Sequence, residues 1–190
     1  MRKLILIMIL FIMPSGAWAT DYEFTWGDGF GSLGLVDYDT FLMTGGEGEE
    51  LTLTGWSTGT IEDTNPLIGP NDGGIWDITV SGHSELTITG GEINDINCDD
   101  YTILNLYGGQ IFGSLTVVED PTAWIHIYGY GFNNDPFLGS PLTGFWADDT
   151  TFSINLVDST ISTYDQIVFH EIPEPASILL FGLGGLFLRA

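Results

Sequence analysis

The residues able to do chemistry in this chain are nearly all carboxylates: 26 Asp and Glu stand against 3 Lys and Arg and 3 His. The densest acidic stretch, NDINCDD, holds Asp95, Asp99 and Asp100, and DYD supplies Asp37 and Asp39. Two close carboxylates serve glycoside hydrolysis, one as acid and one as base or water activator. Asp99 and Asp100 are the pair that would carry it. Elimination chemistry generally needs a basic residue to take a proton or steady a carbanion. Between Leu4 and Leu188 there is no Lys or Arg, and the only imidazoles are His83, His126 and His170. So many acids produce clusters by composition alone. The sequence therefore reads as a non-enzymatic protein, with no catalytic residue assigned.

Metal and ligand chemistry is equally sparse. No His pair has zinc-site spacing, and Cys98, the single cysteine, can form neither a thiolate cluster nor an internal disulfide. It reads as a buried, inert thiol. Full EF-hand loops and the glycine–aspartate nonapeptides of calcium-binding β-rolls are missing. No cofactor is implied. Ca²⁺ at corner carboxylates is the one metal the composition suits, with no ligand set assigned. A formal net charge of -23 repels phosphate backbones, which excludes nucleic acid as a partner. Thr52, Thr54, Thr79, Thr87, Thr89 and Thr116 fall at outward positions, but Asn105, Tyr107, His126 and Tyr128 interrupt them, which disfavours ice binding. An exposed Trp56 or Trp124 would stack on sugars, making extracellular polysaccharide the partner to consider and a carbohydrate-binding module or a polysaccharide-acting β-helix enzyme the alternative functions.

These groups are positioned by a repeat. Units of alternating apolar pairs begin at Leu33, Leu51, Ile78, Ile96 and Leu115, spaced 18, 27, 18 and 19 residues apart. The long interval contains TNPLIGPNDGG, a Pro- and Gly-rich insertion that reads as a protruding loop. Leu86 and Ile88 alternate with Thr87 and Thr89, as Leu104 and Leu106 do with Asn105 and Tyr107, which is strand periodicity. Gly45-Gly46, Gly90-Gly91 and Gly108-Gly109 mark corners, and GGEI and GGQI recur at matching phase. The expected fold is all-β: a short parallel β-helix (β-solenoid) of about five coils over residues 20–171, with a β cap from about residue 130. An antiparallel sandwich is the competing arrangement. Cap strands are expected near Leu142–Trp146, Thr151–Leu156 and Gln166–Phe169, with an opposite cap beginning over residues 21–32.

Both ends read as addresses. Arg2 and Lys3, the apolar run from Leu4 to Met13, the break at Pro14-Ser15-Gly16 and small residues at Ala17 and Ala19 form a signal peptide over residues 1–19. Signal peptidase would cut after Ala19. At the other end, residues 172–190 form a separate tail. Prolines stop the last strand, and Ala176 to Leu188 run apolar before Arg189. As a helix that run would be about 20 Å long, short of a bilayer core of about 30 Å. Arg189 follows at once, as a positive-inside stop would.

This tail resembles the PEP-CTERM sorting signal of bacterial exported proteins. Pro173, Glu174, Pro175, the Gly-rich apolar run and Arg189 carry the resemblance, although the chain closes on one Arg and an Ala where the family usually has several basic residues. The resemblance implies recognition and processing by a membrane exosortase, transient membrane anchoring through the C-terminal run, and delivery to the cell surface or an extracellular matrix. The body looks like repeat regions of such proteins from planctomycete-type bacteria, through its GGxI units and the closing IHIYGYGF.

Overall fold

Apolar residues one apart, interrupted by Gly, Asp and Asn, favour short strands between tight turns. A computed structural model of the chain describes residues 19–64, 74–119, 122–133 and 141–174. These are all-β. In chain order the strands are β1 (Asp21–Phe24), β2 (Gly29–Leu35), β3 (Thr40–Thr44), β4 (Glu47–Leu53) and β5 (Thr58–Asp63). There follow β6 (Gly74–Val80), β7 (Glu85–Ile88), β8 (Glu92–Cys98), β9 (Ile103–Leu106) and β10 (Gln110–Ile111). The last are β11 (Ser114–Val117), β12 (Trp124–Asn133), β13 (Leu142–Phe145), β14 (Thr151–Asp158) and β15 (Ile167–Glu171). Among the described residues there is no α-helix, only a 3-10 turn at Tyr164–Gln166. The signal segment up to residue 18, most of the insertion (65–73) and the apolar C-terminal helix expected over 176–188 lie outside the described residues.

The strands fall into two parallel ladders. One runs β1-β3-β5-β7-β9-β12, the other β2-β4-β6-β8-β11. Two antiparallel pairings, β12 with β13 and β13 with β14, join them, and β14 returns parallel to β11. The resulting sheet almost closes on itself like a barrel. Register follows the sequence repeat. Leu86 lies beside Leu104 and Ile88 beside Leu106, and these continue to Ile125 and Ile127. The second ladder aligns Leu51, Ile78, Ile96 and Leu115 in the same way. All ten side chains are fully buried in one core, because a period of two sends alternate residues inward.

The glycine pairs have two distinct jobs. A side chain at Gly90 would run into the Glu62 carbonyl, and one at Gly108 into that of Thr89, so the first glycine allows close approach of backbone. The second takes a left-handed φ: +98° at Gly46, +88° at Gly91 and +91° at Gly109. The Glu92–Ile93 and Gln110–Ile111 segments that follow these pairs are themselves paired, in register.

The C-terminal region differs in detail from its expected form. β12 runs on through Asn133, past the Gly129 boundary of the repeat. β13 and β14 form an antiparallel flap, whereas β15 rejoins the first ladder, parallel to β12. Phe152 and Trp146 pack on one another under the flap, with ring centroids 4.2 Å apart.

Candidate functional site

The acids singled out by sequence do not converge. Asp99 and Asp100 occupy the corner between β8 and β9, and Asp37 and Asp39 the corner between β2 and β3. Asp37 and Asp100 adopt left-handed φ angles of 55° and 50°, at the corner position that Gly55 and Gly82 occupy in the intervening repeats. Asp tolerates this conformation better than most residues, so backbone geometry accounts for both. Asp99 accepts the Asp100 amide at 2.9 Å. The Asp39 carboxylate, nearly buried, accepts the amides of Thr20 at 2.8 Å and Val36 at 3.0 Å. Asp95, four residues before Asp99, is elsewhere: it stands on β8 in a row with Asp77 and Glu50.

That row is the main concentration of charge on the second ladder. Ser32 donates to Glu50 at 3.0 Å, and Asp95 accepts the Ser114 amide and hydroxyl at 2.6 and 2.7 Å. Burial, followed by the charges of Asp95 and Glu50, raises the carboxyl pKa of Asp77. Beside the row lies an open groove of about 750 Å³ whose walls include Glu47, Glu49, Glu50, Trp76 and Asp77. Gly29, Gly31 and Gly48 also line it. Trp76 escaped sequence reasoning, since it sits beside the insertion rather than in a recognised repeat position. Among the described residues no three His, Cys, Asp or Glu side chains converge to hold a metal ion.

Two aromatic stacks mark the first ladder. At the corners, Trp56 stacks on His83 at 4.2 Å and His83 on Tyr101 at 4.8 Å, with planes within 19°. Trp56 is 55% exposed, with one ring face covered by the imidazole. Trp124 is exposed on the outer face beside Ile103. On the same face Tyr107, Tyr128 and His170 stack at 4.0 and 4.3 Å. The outward threonines are broken up as the sequence implies: Thr52 and Thr79 share a row with Gly34 and Asn97.

The second stack contains an arrangement invisible to spacing rules. His126 Nδ1 lies 2.8 Å from His170 Nε2, linking β12 to β15 across 44 residues of sequence. Burial first, then the His170 charge, lowers the pKa of His126, while Glu85 pulls it back up. Glu85 itself accepts the Asn105 amide group at 2.8 Å. Cys98 is fully buried and its thiol is pushed up to about 12, chiefly by burial.

Of the residues expected to form terminal signals, Ala19 is exposed shortly before β1, and Pro173 and Glu174 are exposed shortly after β15. Ala17, Pro175 and Arg189 lie outside the described residues. Comparisons with protein families, with curated proteins and with solved structures yield no match for this chain.

Proposed function

We propose that this chain is an exported, non-enzymatic protein of the cell surface or extracellular matrix, built as a β-solenoid and sorted through a PEP-CTERM tail. The use of its carboxylates is the observation that carries the non-enzymatic reading. Asp37, Asp39, Asp99 and Asp100 are accounted for by corner conformation and turn hydrogen bonds. Parallel registers between successive repeats and one continuous core support the solenoid. Among the described residues Ile172 makes the last backbone bond, to Gly129 at 2.8 Å, and the Pro173-Glu174-Pro175 motif follows at once in the sequence. The proposed tail thus begins where the ladder's bonding ends among the described residues.

In this reading signal peptidase removes Met1–Ala19, the C-terminal run sits transiently in the membrane with Arg189 cytoplasmic, and an exosortase acts near Pro173-Glu174-Pro175. Deleting Ile178–Ala190 in the host should leave the body folded, with an unchanged melting curve, but absent from the surface. Mass spectrometry of the wild-type surface fraction should find a chain starting at Thr20 and ending near Pro175. An intact tail on the surface form, and a location unaffected by the deletion, would overturn the proposal.

A second reading, binding of a neutral glycan, is favoured by the groove beside Trp76. Its carboxylates accept hydrogen bonds from hydroxyls, the indole suits the apolar face of a pyranose, and no cation is present to hold an anionic sugar. Glycan-array binding should fall at least tenfold in Trp76→Ala with the melting curve unchanged. Equal binding by the variant would remove the groove from consideration.

A further inference from the structure

β15 is the outermost strand of its ladder: β12 bonds it on one side, and among the described residues no strand pairs with the other. Its inward side chains, Ile167 and Phe169, are only partly buried. On its outer face His170 links β15 to β12 twice, through its contact with His126 and its stack on Tyr128. Two imidazoles share a hydrogen bond only while one nitrogen carries the proton and the other is bare. When both rings are imidazolium, two N–H groups and two positive charges face each other at the same separation.

We propose that the His126–His170 contact is a proton-sensitive latch, holding β15 on the sheet in neutral solution and releasing it on acidification. The surroundings offer little to counter the repulsion. Glu85 on β7 is the one carboxylate acting on His126, and it is already engaged by Asn105 of β9. The remaining neighbours are neutral phenols: Tyr128 on β12 stacks against His170, Tyr107 on β9 stacks in turn on Tyr128, and Tyr128 is held further from ionisation by its bond to Tyr107. The sign follows from His126. Its docked pKa lies below the ordinary 6.5, so the released strand binds the proton more readily. Docking is therefore fully favoured above pH 6.5 and weakens as pH falls below it. Release frees Ile167–Glu174 as extended chain with a reach of roughly 25 Å, lengthening the tether between body and tail. The latch does not depend on the sorting proposal.

Hydrogen exchange on the full chain is the test. Protection of the Ile172 amide and of the β15 amides bonded to β12 should be level above pH 6.5. Below it, after correction for intrinsic exchange, protection should fall about tenfold per pH unit, as expected for uptake of one proton on release. Amides of β8 should show no such step. His170→Phe keeps a ring against Tyr128 and removes the second charge, so it should flatten the dependence. Carbon-13 titration of the wild-type imidazoles gives an independent readout whether or not that variant folds: the pair should titrate in two separated steps. Independent titration of both rings near 6.5, or β15 protection that tracks β8 at every pH, would overturn the latch.

Discussion

The residue immediately before each of β3, β5, β7, β9 and β12 is buried at a corner: Asp39, Ser57, Ser84, Thr102 and Ala123. Ser84 and Thr102 donate back to the turn, to the carbonyls of Ser81 and Asp99, each at 2.5 Å. Asp39 takes two amides. The Ser57 hydroxyl, fully buried, has no partner among the described residues. These differences set opposite expectations for the same substitution. Asp39→Ala strands two amides and should cost about 1–3 kcal/mol, whereas Ser57→Ala removes an unsatisfied group and should be neutral to about 1 kcal/mol stabilising. Ala123, buried at the corresponding position before β12, shows that the smaller side chain is accommodated there. If processing leaves Thr20 as the first residue, its nitrogen becomes an ammonium facing Asp39. The bond is then charge-assisted, and the Asp39→Ala loss should be greater in a chain starting at Thr20 than in one retaining Ala19. Urea midpoints at unchanged m-value measure all of this. Equal damage from both alanines would contradict the corner argument.

At the scale of the element, legibility depended on whether a feature repeats locally. The alternation of Leu104 and Leu106 with Asn105 and Tyr107 fixes strand and inward face, because period two is written in four adjacent residues. The glycine pairs were equally readable, since close approach and left-handed φ both exclude most other residues. The cap strands near residues 142, 151 and 166 were visible for the same reason, but their partners were not. That β13 and β14 turn antiparallel while β15 returns parallel to β12 depends on which edge each one finds free. Candidate chemistry was harder to read. Asp95 and Asp99 are four apart in sequence, yet Asp95 stands on β8 and Asp99 in the turn that follows it, so an acidic run looked like one cluster and is two. The imidazoles of His126 and His170 meet only through the β12–β15 pairing, which no spacing pattern encodes. Trp76 was obscured because the insertion breaks the count on which the repeat was read.

At the scale of the molecule, one apolar core is surrounded by charge of a single sign. The net charge of -23 is carried with no Lys or Arg between Leu4 and Leu188, so the body's carboxylates have no Lys or Arg to pair with there. Parallel pairing aggravates this by stacking like residues. Glu50, Asp77 and Asp95 occupy neighbouring strands at matching positions, only about 4.8 Å apart per step. Repulsion then acts on two ranges. Between neighbours in a row it lies within a Debye length at any ordinary salt concentration, whereas across the body it is screened once that length falls from about 30 Å at 0.01 M to about 8 Å at 0.15 M. The melting temperature should therefore rise steeply over that interval and then level, with residual repulsion within the rows left in place. Sodium and choline chlorides should act alike at equal ionic strength, because diffuse screening has no ligand geometry. Calorimetry in the two salts checks this. A melting temperature indifferent to salt would mean that self-repulsion is not a measurable term in this fold. A rise seen with sodium but not choline would point instead to cations held at particular carboxylates.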